Sequence, residues 1–165
     1  MTFSSWFSAR WLVVLTVASS TIHPALAQIP TKGTLAVEVI GLRNTDGQVC
    51  VSLFNDDSGF PNDDSAAIAQ QCVELVSLNE STGSAEEASS TISITFEDLR
   101  ASTYAVSVLH DENEDQQIGQ GAFGVPTEGF GFSRNPIIRT GAPEFSETAI
   151  FVLGDTATQI DMIYF

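Results

Sequence analysis

The chain has 165 residues, with 21 acids against six lysines and arginines, a formal net charge of −15 and 43% hydrophobic residues. That charge repels phosphate backbones and anionic membranes, which excludes nucleic acid as a partner, and it concentrates divalent cations near the surface. The length suffices for one domain with a core of its own, so folding requires neither a metal nor a second chain.

The chain opens with "SARWLVVLTVASSTIHPALA": one Arg, an apolar run from Trp11 to Val17, and the small-residue ending Ala25-Leu26-Ala27. This pattern predicts a secretory signal peptide over residues 1–27, cut after Ala27. Its apolar run falls short of the ~20 residues that span a bilayer, and no second candidate follows, so no membrane span is expected in the mature chain. Cleavage leaves residues 28–165 as a single domain, secreted or periplasmic. In such an oxidising compartment, Cys50 and Cys72 are expected to form one disulfide, contributing about 3 kcal/mol. Asn79 to Ser81 spells a glycosylation sequon, relevant only in a eukaryotic secretory pathway.

Short alternating segments then follow one another, separated by turn residues. "TLAVEVIGL" sets Leu35, Val37 and Val39 on one side, the turn "NTDGQ" follows, and "VCVSLF" carries Cys50. After Pro61, "DDSAAIAQQ" is the one segment that reads as a helix, with Asp63, Asp64 or Ser65 as its N-cap. "CVELVSL" and "TISITFEDL" read as strands, separated by the polar stretch 79–90, which is expected to be a flexible hairpin connection. "TYAVSVLH" aligns Tyr104, Val106 and Val108, "TAIFVL" is apolar throughout, and "TQIDMIYF" ends the chain. About seven short strands with this spacing predict an all-β fold, an antiparallel β-sandwich with one short helix. From Asp111 to about Glu147 no period is sustained. This Gly- and Phe-rich loop exceeds the ~15 residues usual for a connection, and its phenylalanines supply apolar surface for folding down over the sandwich.

Chemistry concentrates in that segment. "HDENEDQQIG" places Asp111, Asn113 and Asp115 at the i, i+2, i+4 spacing by which a tight loop turns three side-chain oxygens toward one point. The carbonyl of Gln117 is a fourth candidate ligand, and calcium is the cofactor such hard oxygens would take. Glu128, or Asp56 and Asp57, are candidates to complete the set; the alternative is a solvated Asx-type turn. The loop is not an EF-hand, since Gln116 stands where that motif has Gly and Ala122 where it has a bidentate Glu. "GQGAFG", Gly119 to Gly124, formally spells G-x-G-x-x-G, but acids precede it and Val125-Pro126 follows, so no helix opens to meet a pyrophosphate. Within residues 28–165, His110 is the one histidine. A carboxylate-based hydrolase acting near His110, with Ser133 or the pair Asp111 and Glu128, is the alternative function, although no nucleophile elbow or His/Cys metal cluster accompanies it. "FGVPTEGFGFSRNP" is a candidate binding loop through Phe123, Glu128, Phe130, Phe132 and Arg134, since aromatics flanked by Gly on a rigid scaffold recognise proteins or sugars.

The segments "GTLAVEVIGLRNTDGQVCVSLFNDDSGFP", "FEDLRASTYAVSVLHDENEDQQIG", "FGVPTEGFGFSRNP" and "GAPEF" resemble the bacterial family termed domain of unknown function 2141, from about Gly33 onward. More loosely, "FEDLRASTYAVSV" looks like the strand-turn-Tyr-strand segment of carboxypeptidase-regulatory and transthyretin-like sandwiches, with Ala101-Ser102 in place of their Pro-Gly. In the family the acidic loop reads Asp-x-Asn-x-Asp-Gly; Asp111, Asn113 and Asp115 match, and Gln116 departs. The resemblance implies an exported protein with a prealbumin-like or immunoglobulin-like sandwich. Residues and resemblance together predict a non-catalytic binding or structural module at the cell envelope, with an unidentified protein or glycan as partner.

Overall fold

The computed structural model describes residues 31–75, 91–139 and 141–165. The expected signal peptide, the sequon and the expected 79–90 connection lie outside the described residues. Eight strands are present among them: β1 (Lys32–Ile40), β2 (Gln48–Phe54), β3 (Ala69–Glu74), β4 (Ile92–Arg100), β5 (Ser102–Asp111), β6 (Gly129–Phe132), β7 (Ile150–Val152) and β8 (Asp155–Asp161), with one helix, α1 (Phe145–Thr148), before β7. One sheet has the order β4-β1-β8; the other runs β3-β2-β5-β6, with β7 pairing along the start of β5. No helix among the described residues is long and apolar enough to cross a membrane.

Period-two alternation builds the core. Leu35, Val37 and Val39 of β1 with Ile92, Ile94 and Phe96 of β4 face Val49, Val51 and Leu53 of β2 with Tyr104, Val106 and Val108 of β5. All are buried, so two sheets pack face to face as a sandwich. β2 is also buried on its other side, where Ser52 and Phe54 lie under the loop that follows β2. Phe60 of that loop makes edge contacts with Phe54, Phe132 and Phe145, at centroid distances of 5.3, 6.2 and 5.9 Å.

Four expectations need correction. The helix after Pro61 is a single 3-10 turn, Asp64–Ala66, capped as expected by the Asp63 carboxylate, which accepts the Ser65 N–H at 3.0 Å. Ala69 to Gln71, the end of that segment, instead begins β3 ahead of the strand expected from Cys72, and β3 pairs along β2 with Cys72 opposite Cys50, because a ladder of interstrand bonds outweighs the weak preference of so short a segment for helix. The short helix lies at α1, inside the segment read as loop. Strand pairing is not wholly antiparallel, since β8 runs parallel to β1. The eighth strand, β6, also arises from the long aperiodic segment. Its sequence, Gly-Phe-Gly-Phe, does alternate, but glycine has no side chain to register a buried face. A Cβ at Gly129 would collide with the Tyr164 ring, and one at Gly131 would lie 2.7 Å from Ile160 Cγ2. The two glycines therefore let the end of the chain approach β6, where Phe130 and Ile163 exchange backbone hydrogen bonds of 3.1 and 2.7 Å.

Cys50 and Cys72 form the expected disulfide.

Candidate functional site

The acidic loop begins where β5 ends. Asp111 is fully buried, paired with Gln48 of β2, and its carboxylate organises the turn. Oδ1 accepts the Asp115 N–H at 3.0 Å, while Oδ2 accepts the Gln116 N–H and the Gln48 side-chain amide, each at 2.9 Å. Asp115 Oδ1 accepts the Gln117 N–H at 2.8 Å, and Asp115 Oδ2 accepts the Asn113 side-chain amide at 3.0 Å. Gln116 stands at φ +59°, the left-handed conformation for which glycine is suited, so the loop keeps its turn without the residue that makes it easiest.

Glu128 joins this loop from the entry to β6. It is buried, and its two oxygens accept the Glu112 N–H at 3.1 Å and the Gly119 N–H at 2.7 Å. Asp111, Asp115 and Glu128 thereby bring one carboxylate oxygen each to within 4.8 Å of the others. A carboxylate offers about four lone-pair positions. Three are engaged on Asp111 and two each on Asp115 and Glu128, so every member keeps accepting capacity. At an effective dielectric of ~20, two unit charges this close repel by about 3 kcal/mol, and by under ~1 kcal/mol where water screens them. Backbone N–H dipoles offset part of that repulsion, and a hard divalent cation would offset the rest.

The other sequence candidates divide. Asn113 donates its side-chain amide to Asp115 Oδ2 and accepts the Asp115 N–H through its amide oxygen, and Gln117 donates its backbone N–H to Asp115 Oδ1, so both are tied to the Asp115 carboxylate. Asp56 and Asp57 lie elsewhere, the former accepting the Ser58 N–H in its own turn. In the candidate binding loop, Phe130 and Phe132 are 7% exposed, whereas Phe123 is fully exposed on a turn at φ +66°. Arg134 is exposed. "GQGAFG" forms a 3-10 turn bracketed by a Gln120–Pro126 bridge. The Ser133 hydroxyl is buried, donating to the Thr148 carbonyl at 2.6 Å and accepting the Val106 N–H at 3.0 Å, which makes it a tie between segments.

His110 is fully buried between two partners. Its Nε2 faces the Asp46 carbonyl at 2.9 Å, an acceptor only, so Nε2 carries the proton and Nδ1 accepts from the Tyr164 hydroxyl at 2.8 Å. Neither nitrogen is free to take a proton from a nucleophile. Beside it lies a cluster that no local spacing announces. Arg43 donates from Nε and Nη2 to the two Glu112 oxygens at 2.7 and 2.8 Å, donates also to the Thr127 carbonyl at 2.9 Å, and covers the Tyr164 ring at 4.8 Å. The Arg43 hydrogen bonds hold the Glu112 carboxyl below its usual range, and burial pushes the Tyr164 hydroxyl up. These residues are far apart in sequence, so only the folded chain assembles them.

Residues 37–161 match the family described as "Uncharacterized protein conserved in bacteria (DUF2141)". No curated protein and no solved structure matches the chain significantly.

Proposed function

The chain belongs to the DUF2141 family, and we propose that it is an exported, non-catalytic binding module, one domain over residues 28–165, with a weak calcium site at Asp111, Asp115 and Glu128. The observation that carries the calcium site is the convergence of three carboxylates from two segments, within 4.8 Å of one another. Export is supported by the leader-like pattern of residues 1–27 and by the Cys50–Cys72 disulfide, a bond that persists in oxidising compartments. The partner is a protein or glycan of the cell envelope. Calcium would take one oxygen from each carboxylate and complete its six to eight ligands with backbone carbonyls and water. Because Glu128 leads directly into β6, the ion would clamp the acidic loop to the Gly- and Phe-rich segment.

Thermal melting in calcium against chelator tests this. Extracellular modules bind calcium with dissociation constants of about 10⁻⁴ to 10⁻³ M, so ~10 mM calcium should add about 1.4 to 2.7 kcal/mol. Asp111→Ala with Asp115→Ala should abolish the rise, and Asp115→Asn, which keeps the side chain's size and one of its two accepting oxygens, should reduce it. A parent protein whose melting temperature ignores calcium ends the calcium site.

A further inference from the structure

The geometry points to the outer face of the β3-β2-β5-β6 sheet as a binding groove for an uncharged oligosaccharide, an assignment that rests on the reading as a binding module but not on the calcium site. Two depressions of ≈ 400 and ≈ 420 Å³ lie on this face and share Asn62, Ile118, Gln120, Phe130 and Phe132 as lining, so they form one continuous groove. Each volume falls in the ~300–1,000 Å³ range of small-molecule sites. The β-ladder explains the floor. Ser52 pairs with Ser107, and Leu109 with Phe130, so the side chains of β2, β5 and β6 that point away from the core lie in rows along the groove.

Three features select the ligand. Among the described residues, the charged side chains that line the groove are Asp64 and Arg139, one of each sign, in a chain of net charge −15. A neutral trough in so acidic a molecule fits an uncharged occupant and disfavours phosphates, anionic lipids and acidic sugars. Phe165, 67% exposed at the rim, packs on the nearly buried Phe130 ring at a centroid spacing of 5.8 Å, and Phe130 in turn on Phe132 at 5.7 Å, so one exposed ring stands on an aromatic floor. Such an exposed ring accepts the apolar C–H face of a sugar. Five amide residues, Asn62, Gln70, Gln116, Gln117 and Gln120, line the groove. An amide both donates and accepts, which matches a hydroxyl that does the same. A purely apolar ligand would strip water from these groups without replacing their hydrogen bonds. An extended peptide recognised through its main chain needs an unpaired strand edge, and this is the face of a sheet whose backbone groups already bond within the ladder.

The test is a calorimetric titration of the purified chain, in calcium and in chelator, with uncharged oligomers of glucose, N-acetylglucosamine and mannose and with an acidic galacturonate oligomer. At least one uncharged oligomer should bind and shift the backbone amide resonances of Gln120 and Phe130; galacturonate should not. Asn62→Ala with Gln120→Ala, both at exposed side chains, should weaken binding at least about tenfold with the melting temperature unchanged, and Phe165→Ala should do the same. The assignment is overturned if no uncharged oligomer binds at millimolar concentration, if galacturonate binds as well as the uncharged oligomers, or if the groove variants bind like the parent. Sugar binding that persists in chelator, in a protein whose melting temperature ignores calcium, removes the calcium site alone. A calcium shift without sugar binding removes the groove alone.

Discussion

The Tyr164 hydroxyl donates to His110 Nδ1 and accepts the Arg43 backbone N–H at 3.3 Å, closing a polar network beside the core. Tyr164→Phe would leave Nδ1 a buried acceptor without a partner. The expected loss is about 1–3 kcal/mol in a urea titration, and a variant as stable as the parent would show that water replaces the hydroxyl there. Next to it, Glu112 has a folded pKa below its ordinary 4.5, first through hydrogen bonds from Arg43. A depressed acid pKa stabilises the fold fully above the unfolded value, and that contribution disappears as pH falls through the folded value. Stability should therefore decline below about pH 4.5, less steeply in Arg43→Met or Glu112→Gln. Both side chains are partly exposed, so water screens the pair, and a double-mutant cycle at neutral pH should give a coupling of no more than about 1 kcal/mol. A pH profile identical in parent and Glu112→Gln would remove this pair from the acid response. None of this network is legible in the sequence, where His110 stands out only as the one histidine of residues 28–165 and its Asp46 and Tyr164 partners lie far away along the chain.

Among the strands, β1 and β4 were legible because each alternates large apolar with more polar residues and buries one face, and β5 because Tyr104, Val106 and Val108 fall in phase, although it is buried on both faces. Two elements were not fully legible, for different reasons. β3 reads as a strand from Cys72 on, but its first half, Ala69 to Gln71, is largely exposed and polar, so its strand character comes from the neighbour it pairs with. β6 conceals its period behind glycines, whose role is close approach. Gly129→Ala would drive a methyl group into the Tyr164 ring. We expect a cost of about 1–3 kcal/mol, together with chemical-shift changes at Ile163 and Tyr164. Unchanged resonances there would mean that the end of the chain does not rest on β6 as described. The acidic loop was legible as three oxygens in a tight turn, yet its closing residue, Glu128, was one suggestion among several. Glu128 enters through the Glu112 and Gly119 N–H groups, a contact between segments.

Across the molecule, the disulfide joins β3 to β2 at residues directly opposite each other in the ladder, 22 positions apart in sequence. Replacing both cysteines by alanine should lower stability by about 3 kcal/mol, measured by urea unfolding, since the open chain gains loop entropy when unfolded. No change would mean that the strand pairing alone holds this edge. Cysteine number foretold one bridge and alternation foretold two buried sheet faces, while composition and the leader pattern supply the expectations about partner and compartment. These are properties of adjacent residues or of sums over the chain, so they need no coordinates. The parallel pairing of β8 with β1, the meeting of Glu128 with Asp111 and Asp115, the burial of His110 and the neutral groove on the outer sheet face depend on contacts between distant segments. Such contacts are selected by packing and hydrogen-bond satisfaction over the whole fold, and no local spacing records them.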